Sequence, residues 1–335
     1  MRGKSVACAV VALTGVLAAR AELKIGIVGC DTSHTLEFTR DFNVTKPSPV
    51  LKDMRVTCAY QWGSRDILSM TNRYPRYLPQ LEKMGVRMVS SIRDVVSQVD
   101  AVLLETNDGS EHYEQAVEVF KSGKPVFIDK PLANTLADSI RIVRAAEKVG
   151  ARFFTTSSNR FQPNPRKARQ GEFGPIESAV LHAPNQIMVK HGRYTWYGIH
   201  GFEILETIMG TGCRSVTVTA GERDDVVACV WEDGRIGVVH FQQTCGEMGG
   251  YMLPKQGDEF RSVPIGKDEG YEALVEAIGM FFKTGVRPVE PVESLEVAAM
   301  MEAAELSRRR GGVPVTLHEV MSLAKCAADG LDKAK

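Results

Sequence analysis

The sequence predicts an α/β fold in two domains: a doubly wound parallel sheet first, then an α+β domain with a largely antiparallel sheet. Three observations carry this. Short apolar runs alternate with helical patterns from residue 22 to residue 150, as strand–helix–strand units do. Beyond that the runs lengthen, alternate in polarity and include Asp233-Gly234, a strong hairpin signal. A chain of 335 residues is long enough to bury two cores. The expected boundaries are 22–153 and 154–335, with 1–21 set apart.

Leu23 to Val28 is the first strand, Val56 to Tyr60 the second, and Val86 to Val89 the third, followed by a helix from Ile92 to Val99. Ala101 to Leu104 is apolar throughout, which marks a fourth strand buried on both faces. His112 to Ser122 reads as a helix stopped by Gly123. Pro125 to Ile128 is the fifth strand, and Leu136 to Val149 a helix stopped by Gly150. In the second half Val216 to Ala220, Val226 to Trp231 and Arg235 to Gln242 read as strands. Leu274 to Arg309 is helical, broken from Gly285 to Pro291, and Arg308-Arg309-Arg310 suits the negative pole of that helix. On a parallel sheet ligands bind beyond the carboxyl ends of the strands, so the residues directly after each strand matter most.

Met1-Arg2-Gly3-Lys4 is positive, Ser5 to Ala19 is apolar, and Ala19-Arg20-Ala21 offers a small-residue cleavage site. Together they read as a secretory signal peptide, which places the mature protein in the periplasm or outside the cell. Lys plus Arg and Asp plus Glu number 41 each, so no net field favours nucleic acid or an anionic membrane. The cysteines show no C-x-x-C and the histidines no H-x-x-x-H, so spacing indicates no metal site. Cys30 and Cys58 end two strands expected to be neighbours and are one candidate disulfide.

The loop after the first strand is Gly29-Cys30-Asp31-Thr32-Ser33-His34. A dinucleotide-binding fold carries G-x-G-x-x-G there. Only Gly29 matches; Asp31 and His34 hold the other glycine positions. A carboxylate about 5 Å from a phosphate costs roughly 3 kcal/mol at an effective dielectric near ~20. The helix N-terminus returns only about 0.3–2 kcal/mol. The loop therefore reads as a weakened diphosphate site unless Asp31 points away. Asp31 or Thr32 is a candidate cap for the next helix, and Thr32 and Ser33 keep hydroxyls that can bond a phosphate.

Further along, Val99-Asp100-Ala101-Val102, His112, Ala116 and Gly123-Lys124-Pro125-Val126-Phe127-Ile128-Asp129-Lys130-Pro131-Leu132-Ala133 resemble the Gfo/Idh/MocA oxidoreductases. Asn159-Arg160-Phe161 with Pro163, Gly171 to Ile176, Gly198-Ile199-His200 and the tail from Tyr271 to Glu293 extend the similarity over nearly all of the mature chain. The resemblance implies a Rossmann-type first domain that binds NAD or NADP, and a second domain that holds a sugar or cyclic polyol over the nicotinamide. It implies that Lys130 donates to the reacting oxygen and that His200 shuttles its proton, as imidazole can near neutral pH. By position it places Gly29, Asp31, Thr32, Ser33, His34, Asn107, Asp108, His112, Asp129, Lys130 and Arg160 on the cofactor side.

Where the family has an aspartate four residues before the histidine, this chain has Trp196. Tyr197 can supply a hydroxyl instead; Trp196 can stack on a sugar face or simply pack. The bland readings are Lys130 paired with Asp129 at the surface, and His200 bonded to Glu203 in the core. Ser64 and Arg65 follow the second strand, and Arg65 can favour NADP. Three activities suit the resemblance: an oxidoreductase, a redox-neutral glycoside hydrolase with a tightly held cofactor, and a carbohydrate-binding protein without one. The family's habit of assembly implies a homodimer or homotetramer.

Overall fold

The computed structural model describes residues 22–64, 67, 71–188, 191–243, 246–255, 261–266 and 269–334. The expected signal peptide, Arg65 and Cys245 lie outside the described residues. Six parallel strands form the first sheet: β1 (Leu23–Val28), β2 (Met54–Tyr60), β3 (Arg87–Val89), β4 (Ala101–Leu104), β5 (Val126–Asp129) and β6 (Phe153–Thr156). Their order is β3-β2-β1-β4-β5-β6, so the sheet reverses its winding between β1 and β4. That switch point opens a crevice at the strand ends. Every residue of β4, β5 and β6 is buried, as apolar strands covered by helices on both faces must be.

The helices of this half are α1 (Ser33–Arg40), α2 (Tyr74–Lys83), α3 (Ile92–Val96), α4 (His112–Phe120) and α5 (Leu136–Val149). Three of them, α1, α3 and α5, begin at a side-chain cap from Thr32, Ser91 and Thr135. Thr135 caps α5 by accepting from the Asp138 amide, and Gly150 ends it at φ 66°. After α6 (Pro163–Arg169) comes the second sheet: β7 (Ile176–Pro184), β8 (Cys213–Ala220), β9 (Asp224–Trp231), β10 (Ile236–Gln242), β11 (Gly249–Pro254), β12 (Val263–Pro264) and β13 (Val315–Thr316). Its order is β12-β11-β7-β10-β9-β8-β13. Among the described residues of this sheet only β7 and β10 pair in parallel.

The helix α7 (Ile199–Met209) is buried along its whole length, with Phe202 against Phe241 of the second sheet at 5.2 Å. The last helices are α8 (Glu272–Thr284), α9 (Pro291–Arg309) and α10 (Leu317–Lys333). Leu274, Ile278 and Phe281 of α8 return to the first domain and share a core with Ile25, Phe127 and Phe154. The tail thus clamps the two halves at one end of the cleft. The expected disulfide does not form: Cys30 and Cys58 are both free and buried, and the Cys30 Sγ donates to the Tyr60 carbonyl at 3.7 Å. Among the described residues no helix is long and apolar enough to cross a membrane.

Candidate active site

The carboxyl ends of β1, β4 and β5 face α7 across one cleft. The first domain lines it with Thr32, Ser33, His34, Arg73, Asn107 and Lys130, and the second with Ser158, Asn159, Trp196, Tyr197, His200 and Met248. Tyr271 completes it just before α8.

Asp31 is fully buried and is not among the lining residues. Its carboxylate accepts the backbone amides of Ser64 at 2.8 Å and Asn107 at 3.0 Å, while its carbonyl accepts from Arg73 Nη1 at 2.8 Å. Gly63 makes room for this, since a Cβ there would lie 2.6 Å from Asp31 Oδ1. The expectation that Asp31 meets a phosphate is thereby corrected. Its charge is turned inward and satisfied by loop amides. Thr32, not Asp31, caps α1, accepting from the His34 amide at 3.3 Å.

His34 Nδ1 lies 2.9 Å from Asp129 Oδ2. Its ring stacks on Phe38 at 5.1 Å and meets Tyr271 edge-on at 4.8 Å. Asp129 therefore faces His34 rather than a ribose, which corrects its expected place; its other oxygen accepts the Lys130 amide at 2.9 Å. Burial works against the Asp129 charge, but His34 and the Lys130 ammonium outweigh it and hold its pKa below the usual carboxylate range. Beside this pair lies Glu105, fully buried, with neither carboxylate oxygen hydrogen-bonded. Burial first, then the charge of Asp129, pushes Glu105 well above the usual range, with the Lys130 ammonium opposing them.

Three more expected cofactor residues serve the architecture instead. Asp108 accepts from Ser110 and Asn134, which ties down the loop after β4. His112 has both ring nitrogens against backbone carbonyls, Leu132 at 3.1 Å and Thr106 at 2.7 Å. Arg160 points into the second domain and pairs with Glu206 at 2.7 Å, both groups being buried. None of the three is among the residues that line the cleft.

His200 does not bond Glu203, which instead accepts the Ser157 amide at 2.8 Å. The His200 Nδ1 lies 3.1 Å from Asn159 Nδ2. With the amides assigned so that Gln162 Nε2 donates to Asn159 Oδ1 at 2.7 Å, Asn159 donates to Nδ1 and the ring proton sits on Nε2. Burial, then the positive charge of Lys130, pushes the His200 pKa down to about 3. The imidazole is thus neutral at pH 7, which corrects the expectation of a group titrating near neutrality. Tyr197 lies edge-on to His200 at 5.2 Å, and Trp196 packs on His191 at 4.8 Å.

Sequence reasoning missed Glu105, Arg73 and Tyr271. Glu105 carried a signal, an acid directly after an all-apolar strand. Tyr271 opens the family-like tail, but its place at the cleft depends on how α8 folds back.

A dinucleotide suits the chemistry of this cleft. Thr32 and Ser33 at the start of α1 stand with the Arg73 guanidinium on one wall, donors and a cation of the kind a diphosphate needs. The carboxylate that would repel it is buried elsewhere.

Comparison with known proteins agrees. Residues 23–157 match the oxidoreductase family with an NAD-binding Rossmann fold. An uncharacterized oxidoreductase of Streptococcus pneumoniae is 26% identical over 157 residues, 42% of this chain and 42% of that protein. The myo-inositol 2-dehydrogenase of Thermotoga maritima is 25% identical over 197 residues, 50% of this chain and 58% of the other. The chain thus spans about half the length of these curated relatives. The crystal structure of a probable dehydrogenase from Thermotoga maritima shares the fold with a TM-score of 0.72 at 19% identity, over 89% of this chain and 100% of that one.

Fold and cleft together define the class, an oxidoreductase-type protein built on an NAD-binding Rossmann domain. Residues 23–157 match the Gfo/Idh/MocA oxidoreductase family.

Proposed function

We propose that this protein is an NAD(P)-dependent oxidoreductase acting on a hydroxyl or carbonyl carbon of a sugar or cyclic polyol, with Lys130 and His200 at the reacting oxygen. The observation that carries the proposal is that Lys130 from the first domain and His200 from the second line the same cleft. When bound, the nicotinamide supplies or accepts the hydride. The Lys130 ammonium donates to the substrate oxygen and stabilises negative charge that develops there. Neutral His200, with its proton on Nε2, is a second donor to that oxygen. Tyr197 and Trp196 add a hydroxyl and an aromatic face at the substrate end. The relative named myo-inositol 2-dehydrogenase supports a cyclic polyol as the substrate class.

The leader-like first 21 residues support export to the periplasm. An exported enzyme of this kind works best with a cofactor it does not release. The test is to purify the full chain without added nucleotide, denature it, and measure released NAD(P) by absorbance and mass. Turnover of cyclic polyols and aldoses is then measured for the wild type and Lys130→Met. Cofactor bound or taken up, with turnover lowered about 10²–10⁴-fold in the variant, is the expected result. A wild-type protein that neither carries nor binds NAD or NADP overturns the proposal.

A further inference from the structure

We infer that His34, Glu105 and Asp129 form a binding site for one divalent metal ion, Zn²⁺ or Mn²⁺, at the floor of the cleft. The inference rests on the geometry of these three side chains and not on the oxidoreductase reading.

The three residues are distant in sequence, and the fold brings them together. In the sheet Val28 pairs with Leu104, and Leu104 pairs with Ile128. Glu105 and Asp129 directly follow two of these aligned residues, so they leave neighbouring strands at the same level. His34 reaches them from the first turn of α1. One ligand atom from each lies within 4.8 Å of the others, and all three residues are buried.

Glu105 is the decisive member. It is 0% exposed, and neither of its oxygens has a hydrogen-bond partner. An unpaired polar group in such a place is costly, and a second carboxylate beside it raises the cost. The backbone does not relieve Glu105 as it relieves Asp31, whose two oxygens take amides. A divalent cation meets both acids at once.

One imidazole and two carboxylates, with no thiolate, is a donor set for Zn²⁺ or Mn²⁺. Tetrahedral bonds of about 2.0–2.2 Å place ligand atoms roughly 3.3–3.6 Å apart. His34 Nδ1 and Asp129 Oδ2 already stand 2.9 Å apart, and a bound ion draws in Glu105 from within 4.8 Å. The outer contacts of a metal site are also in place. Phe38 and Tyr271 fix the His34 ring, and the Lys130 amide holds the second oxygen of Asp129. Three protein ligands leave coordination positions open, the pattern of a site that binds a further oxygen. His34 itself lines the cleft, so ions enter and ligands reach the site from there.

The experiment uses the purified full chain, stripped with EDTA and dialysed. Mn²⁺ is titrated with the free ion followed by EPR, and Zn²⁺ by calorimetry. One ion per chain is expected at micromolar affinity or tighter, with affinity reduced roughly tenfold or more in Glu105→Gln. The half-buried pair of His240 and Asp224, 2.7 Å apart, is the place for adventitious binding, so His240→Gln is expected to leave the affinity unchanged. Nitrogen coupling to Mn²⁺ in the His240→Gln protein reports an imidazole ligand even where Glu105→Gln does not fold. Absence of stoichiometric binding by the wild type overturns the proposal. So does binding that Glu105→Gln leaves intact, or that His240→Gln removes.

Discussion

The Asp31 carboxylate holds the backbone amide of Asn107 at 3.0 Å. Its other oxygen holds the Ser64 amide at 2.8 Å, so one side chain fastens together the loops after β1, β2 and β4. At a position where a nucleotide-binding loop would have glycine, this chain has a crosslink. Asp31→Ala leaves two buried amides unpaired and is expected to cost about 2–4 kcal/mol of stability, read from urea unfolding. Asp31→Asn keeps one strong acceptor and costs less. Asp31→Gly restores the usual loop glycine, yet it is expected to lose stability without gaining affinity for NAD. A variant as stable as the wild type with tighter NAD binding refutes this account.

Gly29 makes the neighbouring contact possible. Its φ is 89°, and a Cβ there would lie 2.5 Å from the Thr106 backbone nitrogen, which cannot swing aside. Gly29→Ala combines a left-handed backbone with a clash against main chain and is expected to cost about 2–4 kcal/mol. Gly123 separates the two effects. Its φ is 71° with nothing within 4 Å of the added Cβ, so Gly123→Ala is expected to cost only about 1 kcal/mol. Equal losses in the two variants, measured by urea midpoints, contradict the close-approach argument.

Arg160 and Glu206 form a buried ion pair at 2.7 Å between the start of the second domain and α7. Removing one partner strands the other charge away from water. Arg160→Met is therefore expected to cost about 3–5 kcal/mol. The double variant Arg160→Met with Glu206→Leu is expected to recover part of that loss, because the stranded Glu206 charge is gone while Glu203 and Glu293 still lose a nearby cation. Thermal and urea unfolding of the two proteins decides the matter. A double variant no more stable than the single one shows that the pair contributes through packing instead.

Much of the first domain was legible because its strands are buried on both faces and its helices carry their own stop signals. Leu136 to Val149 came out end to end, since Thr135 opens that helix and Gly150 closes it. The strand β6, Phe153–Thr156, is harder to read because half of its four residues are threonine, whereas β4 is apolar throughout. The helix α10 is set off from the basic run by Gly311-Gly312 and Pro314, breakers that hide a helix behind them. Lys130, His200, Tyr197 and Trp196 were legible as cleft residues through their motifs. The cluster of His34, Glu105 and Asp129 was not, because spacing rules see ligands on one helix or one loop. Here the register of three parallel strands does the gathering. Arg160 and His112 misled because a motif records a residue's place and not the direction of its side chain.

His200 sets a pH dependence whose sign is fixed by its burial. Burial first, then the charges of Lys130 and His34, lowers its pKa to about 3, with Asp129 opposing them. An unfolded chain would protonate this histidine near its ordinary value of 6.5. Between these two values the unfolded chain binds a proton that the native one does not. The contribution is fully present above the ordinary value and is lost as pH falls toward the native one. The slope reaches at most about 1.4 kcal/mol per pH unit. His200→Gln removes it, so the stability of the variant is expected to fall less steeply than that of the wild type between about pH 6 and pH 4. The carboxylates titrate in both proteins, so the difference between the two curves isolates the histidine. By NMR the His200 ring is expected to keep its neutral chemical shift from neutrality through that window. The pH profile of turnover is likewise expected to show no limb from His200 near pH 6.5. A His200 resonance that titrates near its ordinary value sinks the prediction, and with it the picture of a neutral donor facing the substrate oxygen.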